Sequence, residues 1–141
     1  MDLYEFKNYV NQIINEKIPS ALMNELNLGV IIMEETKTED DYYIMGEYIN
    51  DDLGKYIVLY YGSFNEILED ETDKNKWQDE ILSTIKHELT HHVEALSGEE
   101  KLAKFEELEE LKELEKNKPK RNIPGKLFKL LYNNFPGKRK F

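Results

Sequence analysis

All three histidines of the chain fall within six residues, His87, His91 and His92, in a segment whose apolar residues recur at helical spacing. The pattern runs from about Asn75 to Ser97, with Gly98 placed as the residue just past a helix C-terminus. At about 100° per residue, His91 falls about 40° from His87, and Glu94 about 20° to its other side. Ile81, Leu82, Ile85, Leu89, Val93 and Leu96 fall about 120–240° away. Such a helix must bury one face and present two histidines and a carboxylate on the other. Glu88, about 100° around, sits at the border, and His92, about 140° around, falls on the apolar side, where a packed or hydrogen-bonded histidine is expected.

His87-Glu88-Leu89-Thr90-His91 is an HExxH motif. Residues four apart share a helix face, so two imidazoles at this spacing can hold one Zn²⁺. The glutamate between them can reach a metal-bound water as general base. The chain contains no cysteine. Thiol catalysis, disulfides and Cys-based zinc sites are therefore excluded, and any zinc must be held by histidine and carboxylate.

With 141 residues, one domain is the natural expectation. The formal charge of −10 conceals an asymmetry. Residues 1–117 carry 11 basic against 29 acidic side chains, a balance of −18, whereas residues 118–141 carry 8 basic and none acidic. The sequence thus reads as a body over 1–117 and a basic tail over 118–141. So acidic a body argues against broad nucleic-acid binding, because phosphate repulsion is long-ranged. No apolar run approaches the length of a membrane span, and the N-terminus lacks a signal-peptide pattern, so a cytoplasmic location is expected.

Elsewhere the period changes along the chain. Leu3, Phe6, Val10, Ile13 and Ile14 mark an amphipathic helix over 2–15, with Asp2 as its N-cap. Ser20–Leu26 reads as a short second helix. Gly29–Glu35, Tyr42–Ile49 and Tyr56–Tyr61 read as three strands, the last two antiparallel around an Asn50–Gly54 hairpin loop with Gly54 at positive φ. Ser63 is placed as the cap of a short helix through about Leu68. Glu99–Lys116 reads as a charged helix with a stripe of Leu102, Phe105, Leu108, Leu111 and Leu114. In the tail, Lys126–Tyr132 is a short basic amphipathic segment.

The segments Tyr43-Ile44-Met45-Gly46-Glu47-Tyr48, Gly54–Phe64 and Thr84–Glu99 together resemble the small bacterial zincin-like metallopeptidase family in its clostridial and bacillar form. The resemblance spans roughly residues 1–102. It implies an α+β, zincin-like minimal fold: a small mixed sheet of about three to four strands packed against the HExxH helix, with an N-terminal helix and a C-terminal charged helix. It implies His87 and His91 as zinc ligands and Glu88 as catalytic base. The family pattern HExxHxxGxxD is not kept. Glu94 and Ser97 stand where its glycine and third acidic ligand would be, and Gly98-Glu99 follows. Three candidates for the third ligand stay open: Glu94 on the histidine face, Glu99 after the turn, and Glu110 nineteen residues beyond His91. Glu94 has the alternative role of orienting His91 from behind.

The activity so implied is zinc-dependent hydrolysis of a peptide or protein substrate, with an edge strand, Tyr56–Tyr61 or Tyr42–Ile49, pairing with the substrate backbone. Tyr60 and Tyr61 are candidate oxyanion donors, against the more ordinary reading of packed strand tyrosines. The competing reading is a non-proteolytic binding module of the same fold. Its basic tail, with Leu127, Phe128, Leu130, Leu131, Tyr132 and Phe135 interleaved, would contact a partner, an anionic membrane surface or RNA, against the more ordinary reading that it neutralises the acidic body of this chain or of a neighbouring subunit.

Overall fold

The computed structural model describes residues 1–116 and 138–140, with side chains through Glu113. The element order is α1 (Leu3–Lys17), α2 (Ser20–Met23), β1 (Gly29–Met33), β2 (Lys37–Glu39), β3 (Tyr42–Ile44), β4 (Gly46–Asp51), β5 (Gly54–Tyr60), α3 (Tyr61–Leu68), α4 (Lys74–Ala95), α5 (Gly98–Lys116) and β6 (Lys138–Lys140). The fold is α+β. No described helix is long and apolar enough to cross a membrane.

Two small sheets form. The first has the order β1-β5-β4. β1 runs parallel to β5, and β4 is antiparallel to it, so the sheet is mixed. The second, β2-β3-β6, is antiparallel throughout. The hairpin at Asn50–Gly54 forms as the sequence predicts, with Gly54 at φ 140°. Tyr42–Ile49, read as one strand, is broken at Met45 into β3 and β4, which belong to different sheets. β2, Lys-Thr-Glu, carries no apolar alternation and gave no strand signal in the sequence.

Asp2 caps α1 as expected, its carboxylate accepting from the Glu5 amide at 2.8 Å. Phe6, Val10 and Ile13 of α1 are buried in the main core. Phe6 packs its ring on Phe64, Tyr61 and Trp77, joining α1, α3 and α4. Ser63 does not cap α3, which begins two residues earlier. Its hydroxyl instead accepts from the Lys37 amide and donates to the Lys37 carbonyl, both at 3.1 Å, tying β2 to the start of α3.

α4 is capped by Asp73, which accepts from the Asn75 amide at 2.9 Å. Ile81, Leu82, Ile85, Leu89, Val93 and Leu96 are all buried, so the apolar side read from the sequence is the core side. The turn after α4 uses Gly98 at φ 65°, a left-handed conformation that glycine adopts without a Cβ penalty. α5 then packs back on α4 and α2. Only part of its expected stripe is covered: Leu108 and Leu111 are buried, whereas Leu102 and Phe105 are exposed. Leu114 and the basic segment Lys126–Tyr132 lie outside the residues whose side chains are described.

One glycine sets the distance between sheet and helix. A Cβ on Gly46 would lie 2.8 Å from Thr84 Cγ2, 3.1 Å from the Val58 carbonyl and 3.2 Å from Leu59 Cδ2. β4 therefore rests directly on α4 at Thr84, one turn before the HExxH residues. Gly46→Ala is expected to lower stability by about 1–3 kcal/mol through overpacking. Thr84→Ser, which removes the crowding methyl, should recover part of that loss in the double variant. An unchanged urea midpoint in Gly46→Ala would contradict this contact.

Candidate metal centre

The helix that carries the motif is continuous through it, so His87, Glu88 and His91 are held by regular backbone bonds. One ligating atom from each of these three residues lies within 4.8 Å of the other two, and no other such group occurs among the described residues. His87 Nε2 and His91 Nε2 are 3.1 Å apart, and the rings meet edge to face at 88°. Two nitrogens bound at about 2.0–2.1 Å to one tetrahedral ion lie about 3.3 Å apart. The rings thus already point their Nε2 atoms at a common position. Without a metal, the same approach is a hydrogen bond when one ring carries the proton on Nε2.

Glu88 is buried, although His87 is half-buried and His91 exposed. Its Oε2 accepts from the backbone amide of Tyr48 at 2.8 Å. β4 explains that donor. Its Met45 neighbour gives its carbonyl to Tyr60, so by antiparallel alternation the amides of Glu47 and Ile49 turn to β5 and that of Tyr48 turns outward. Burial pushes the Glu88 carboxyl up to about 7, the Tyr48 amide partly offsetting it and the Glu47 charge adding to it. A carboxyl poised near neutrality suits a group that takes up and returns a proton.

His92 is buried as the helix phase predicts. Its Nδ1 lies 3.2 Å from the Tyr48 hydroxyl, and the two rings pack with centroids 5.3 Å apart. Burial, with Lys55 nearby, holds its pKa below the ordinary histidine value. Tyr48 therefore braces the helix twice, by its amide at Glu88 and by its hydroxyl at His92. Sequence reasoning missed this residue, because nothing local marks a contact made across forty positions.

The candidate third ligands are not brought to the cluster. Glu94 lies behind His91, with Oε2 3.8 Å from Nδ1, the nitrogen that does not face His87. That position is on the side of the orienting role and away from the Nε2 atoms. Glu99 and Glu110 are exposed on α5 and belong to no metal-ligating group among the described residues. Tyr60 and Tyr61 are engaged elsewhere. Tyr60 donates to Glu47 at 2.9 Å, beside the Lys37–Glu47 ion pair, and Tyr61 donates to the Met1 carbonyl at 2.6 Å. Tyr56–Tyr61 is excluded as a pairing edge because β5 is the central strand. Among the described residues, β4 has one edge without a paired strand, and the Tyr48 amide on that edge donates to Glu88 of α4.

No family model matches the chain, and no curated protein matches it. Among solved structures it is similar to a conserved hypothetical protein from Thermo thermophilus, at 32% identity and a TM-score of 0.59. The match covers 67% of this chain and 95% of that one. The chain belongs to that protein's family. Nearly the whole of that relative's architecture is thus contained in this chain, and the remainder of this chain has no counterpart in it.

Two outcomes test this geometry. The native Glu88 carboxyl, raised from 4.5 to about 7, favours its protonated form. Its contribution is therefore complete below about pH 4.5 and is lost as pH rises through about 7. In metal-free protein, Glu88→Gln should gain on wild type between pH 5 and 8.5, by up to about 3 kcal/mol. A stability difference independent of pH would contradict the raised carboxyl. Tyr48→Phe leaves the Glu88 bond in place but takes the hydroxyl from His92, and should cost about 1–3 kcal/mol in denaturant unfolding.

Proposed function

We propose that the chain is a zinc-dependent hydrolase of peptide bonds with a zincin-like fold, in which His87 and His91 hold the metal and Glu88 is the general base. One observation carries the reading: the two Nε2 atoms, 3.1 Å apart, converge as a tetrahedral ion requires, with a carboxyl beside them. The fold supports it through a small mixed sheet whose strand β4 packs against the helix that carries the motif, as the resemblance implies.

His87 and His91 would supply two neutral imidazoles, a donor set that suits zinc without cysteine. Bound there, zinc would acidify a water and polarise a substrate carbonyl. Glu94 stands 3.8 Å from Nδ1 of His91, where a small side-chain shift would let it accept from that nitrogen and leave Nε2 to bind the metal. Glu88 receives a proton at its carboxylate and returns it to the leaving amine. The Tyr48 amide holds the carboxyl at Oε2, leaving Oε1 to take the proton.

The reading predicts about one zinc per chain by elemental analysis after dialysis. His87→Ala and His91→Ala should each lose it, whereas His92→Gln should keep it. Glu88→Gln should retain zinc and lower hydrolysis of a mixed peptide library at least a hundredfold, measured by mass spectrometry. Retained zinc with identical cleavage profiles for wild type and Glu88→Gln would favour the binding-module reading instead.

A further inference from the structure

β3 and β4 form one run of chain interrupted only at Met45. β5 covers one edge of that run, and its last residue, Tyr60, donates its amide to the Met45 carbonyl at 3.0 Å. β2 lies on the same side. It is held there by Ser63, three residues beyond Tyr60, and by the Gly62 amide, which donates to the carbonyls of Glu34 and Glu35 at 3.1 and 3.2 Å. β6 therefore pairs with the opposite edge of β3, with Tyr42 against Lys140, Tyr43 against Arg139 and Ile44 against Lys138. Followed into β4, that opposite edge is the one on which Tyr48 presents its amide to Glu88. Tyr43 and Tyr48 are separated by about 17 Å of extended chain.

We infer that this edge is a docking strand for extended basic polypeptide segments, and that the chain's own strand β6 is its built-in occupant, paired along β3. Backbone pairing supplies attachment that depends little on sequence, and charge supplies selection. Residues 118–141 carry 8 basic and no acidic side chains, against the balance of −18 in the body. The turn Asp40-Asp41 that joins β2 to β3, and Glu39 before it, are all exposed, beside the position where Lys140 pairs. Being covalently attached, the tail acts at an effective concentration of about millimolar, so a free segment binds only when it displaces the tail. That such a segment would be a substrate rests on the proposed hydrolase reading, whereas the docking itself does not.

The test uses metal-free protein and a fluorescently labelled peptide with the sequence of residues 133–141, followed by anisotropy. A chain ending at Gly137 should bind it at least tenfold more tightly than the full chain, with affinity falling as salt rises. A full-length chain carrying Lys138→Glu, Arg139→Glu and Lys140→Glu should bind the peptide as the shortened chain does, which keeps the test valid if shortening impairs folding. A peptide with the same three changes should not bind. Backbone hydrogen exchange over Tyr42–Ile44 should quicken on shortening and slow again when the peptide is added. Equal affinity of the full and shortened chains, or no binding by a variant with native circular dichroism, would overturn the inference. Neither zinc nor turnover enters the readout, so a failed hydrolase reading leaves a positive docking result standing, and the converse holds.

Discussion

The hydrogen bond from the Tyr48 amide to Glu88 is the contact that the site depends on. A buried carboxyl without a donor costs several kcal/mol, and so does a strand amide turned into a covered interface without an acceptor. Here each group satisfies the other. The bond also fixes how α4 is rotated against the sheet. With Glu88 turned to β4 and Leu89, Ile85 and Val93 turned to the core, His87 and His91 are left at the rim of the interface. The close approach of Gly46 to Thr84 sets the separation at which this bond is made.

Two histidines of the same helix thus meet opposite fates. His92 is buried against Tyr48 and stiffens the strand-to-helix contact, with its pKa lowered by burial. His91, one residue earlier, is half-exposed and directs Nε2 toward His87. The difference is one of helical phase, and it separates a residue that holds the scaffold from residues that can hold a metal. Glu94 extends the same face, with its carboxylate 3.8 Å from the Nδ1 of His91.

The parts of this arrangement governed by local period were legible in the sequence. The apolar side of α4, the placing of His87 and His91 off that side, the burial of His92, the Asp2 cap and the Gly54 hairpin all follow from spacing and turn chemistry. What escaped was set by contacts distant along the chain. Ser63 looked like a helix cap because its local context allows one, yet a strand twenty-six residues away claimed its hydroxyl. β2 is polar and three residues long, so only its pairing with β3 makes it a strand. Tyr48 looked like any strand tyrosine until the sheet brought its amide to Glu88. The third ligand stayed open in the sequence because three carboxylates satisfied the spacing. The structure groups none of them with His87, Glu88 and His91, and Glu94 lies nearest to the Nδ1 of His91.

Having only three histidines, the chain allows its central claim to be read ring by ring. The direct measurement is long-range ¹H–¹⁵N NMR of the imidazoles with and without one equivalent of zinc. The account predicts that zinc moves the Nε2 resonances of His87 and His91 to the metal-bound position, leaves a proton on Nδ1 of each, and leaves His92 unchanged. Nε2 signals of His87 and His91 that do not respond to zinc, or a zinc-dependent shift at His92 in their place, would contradict it.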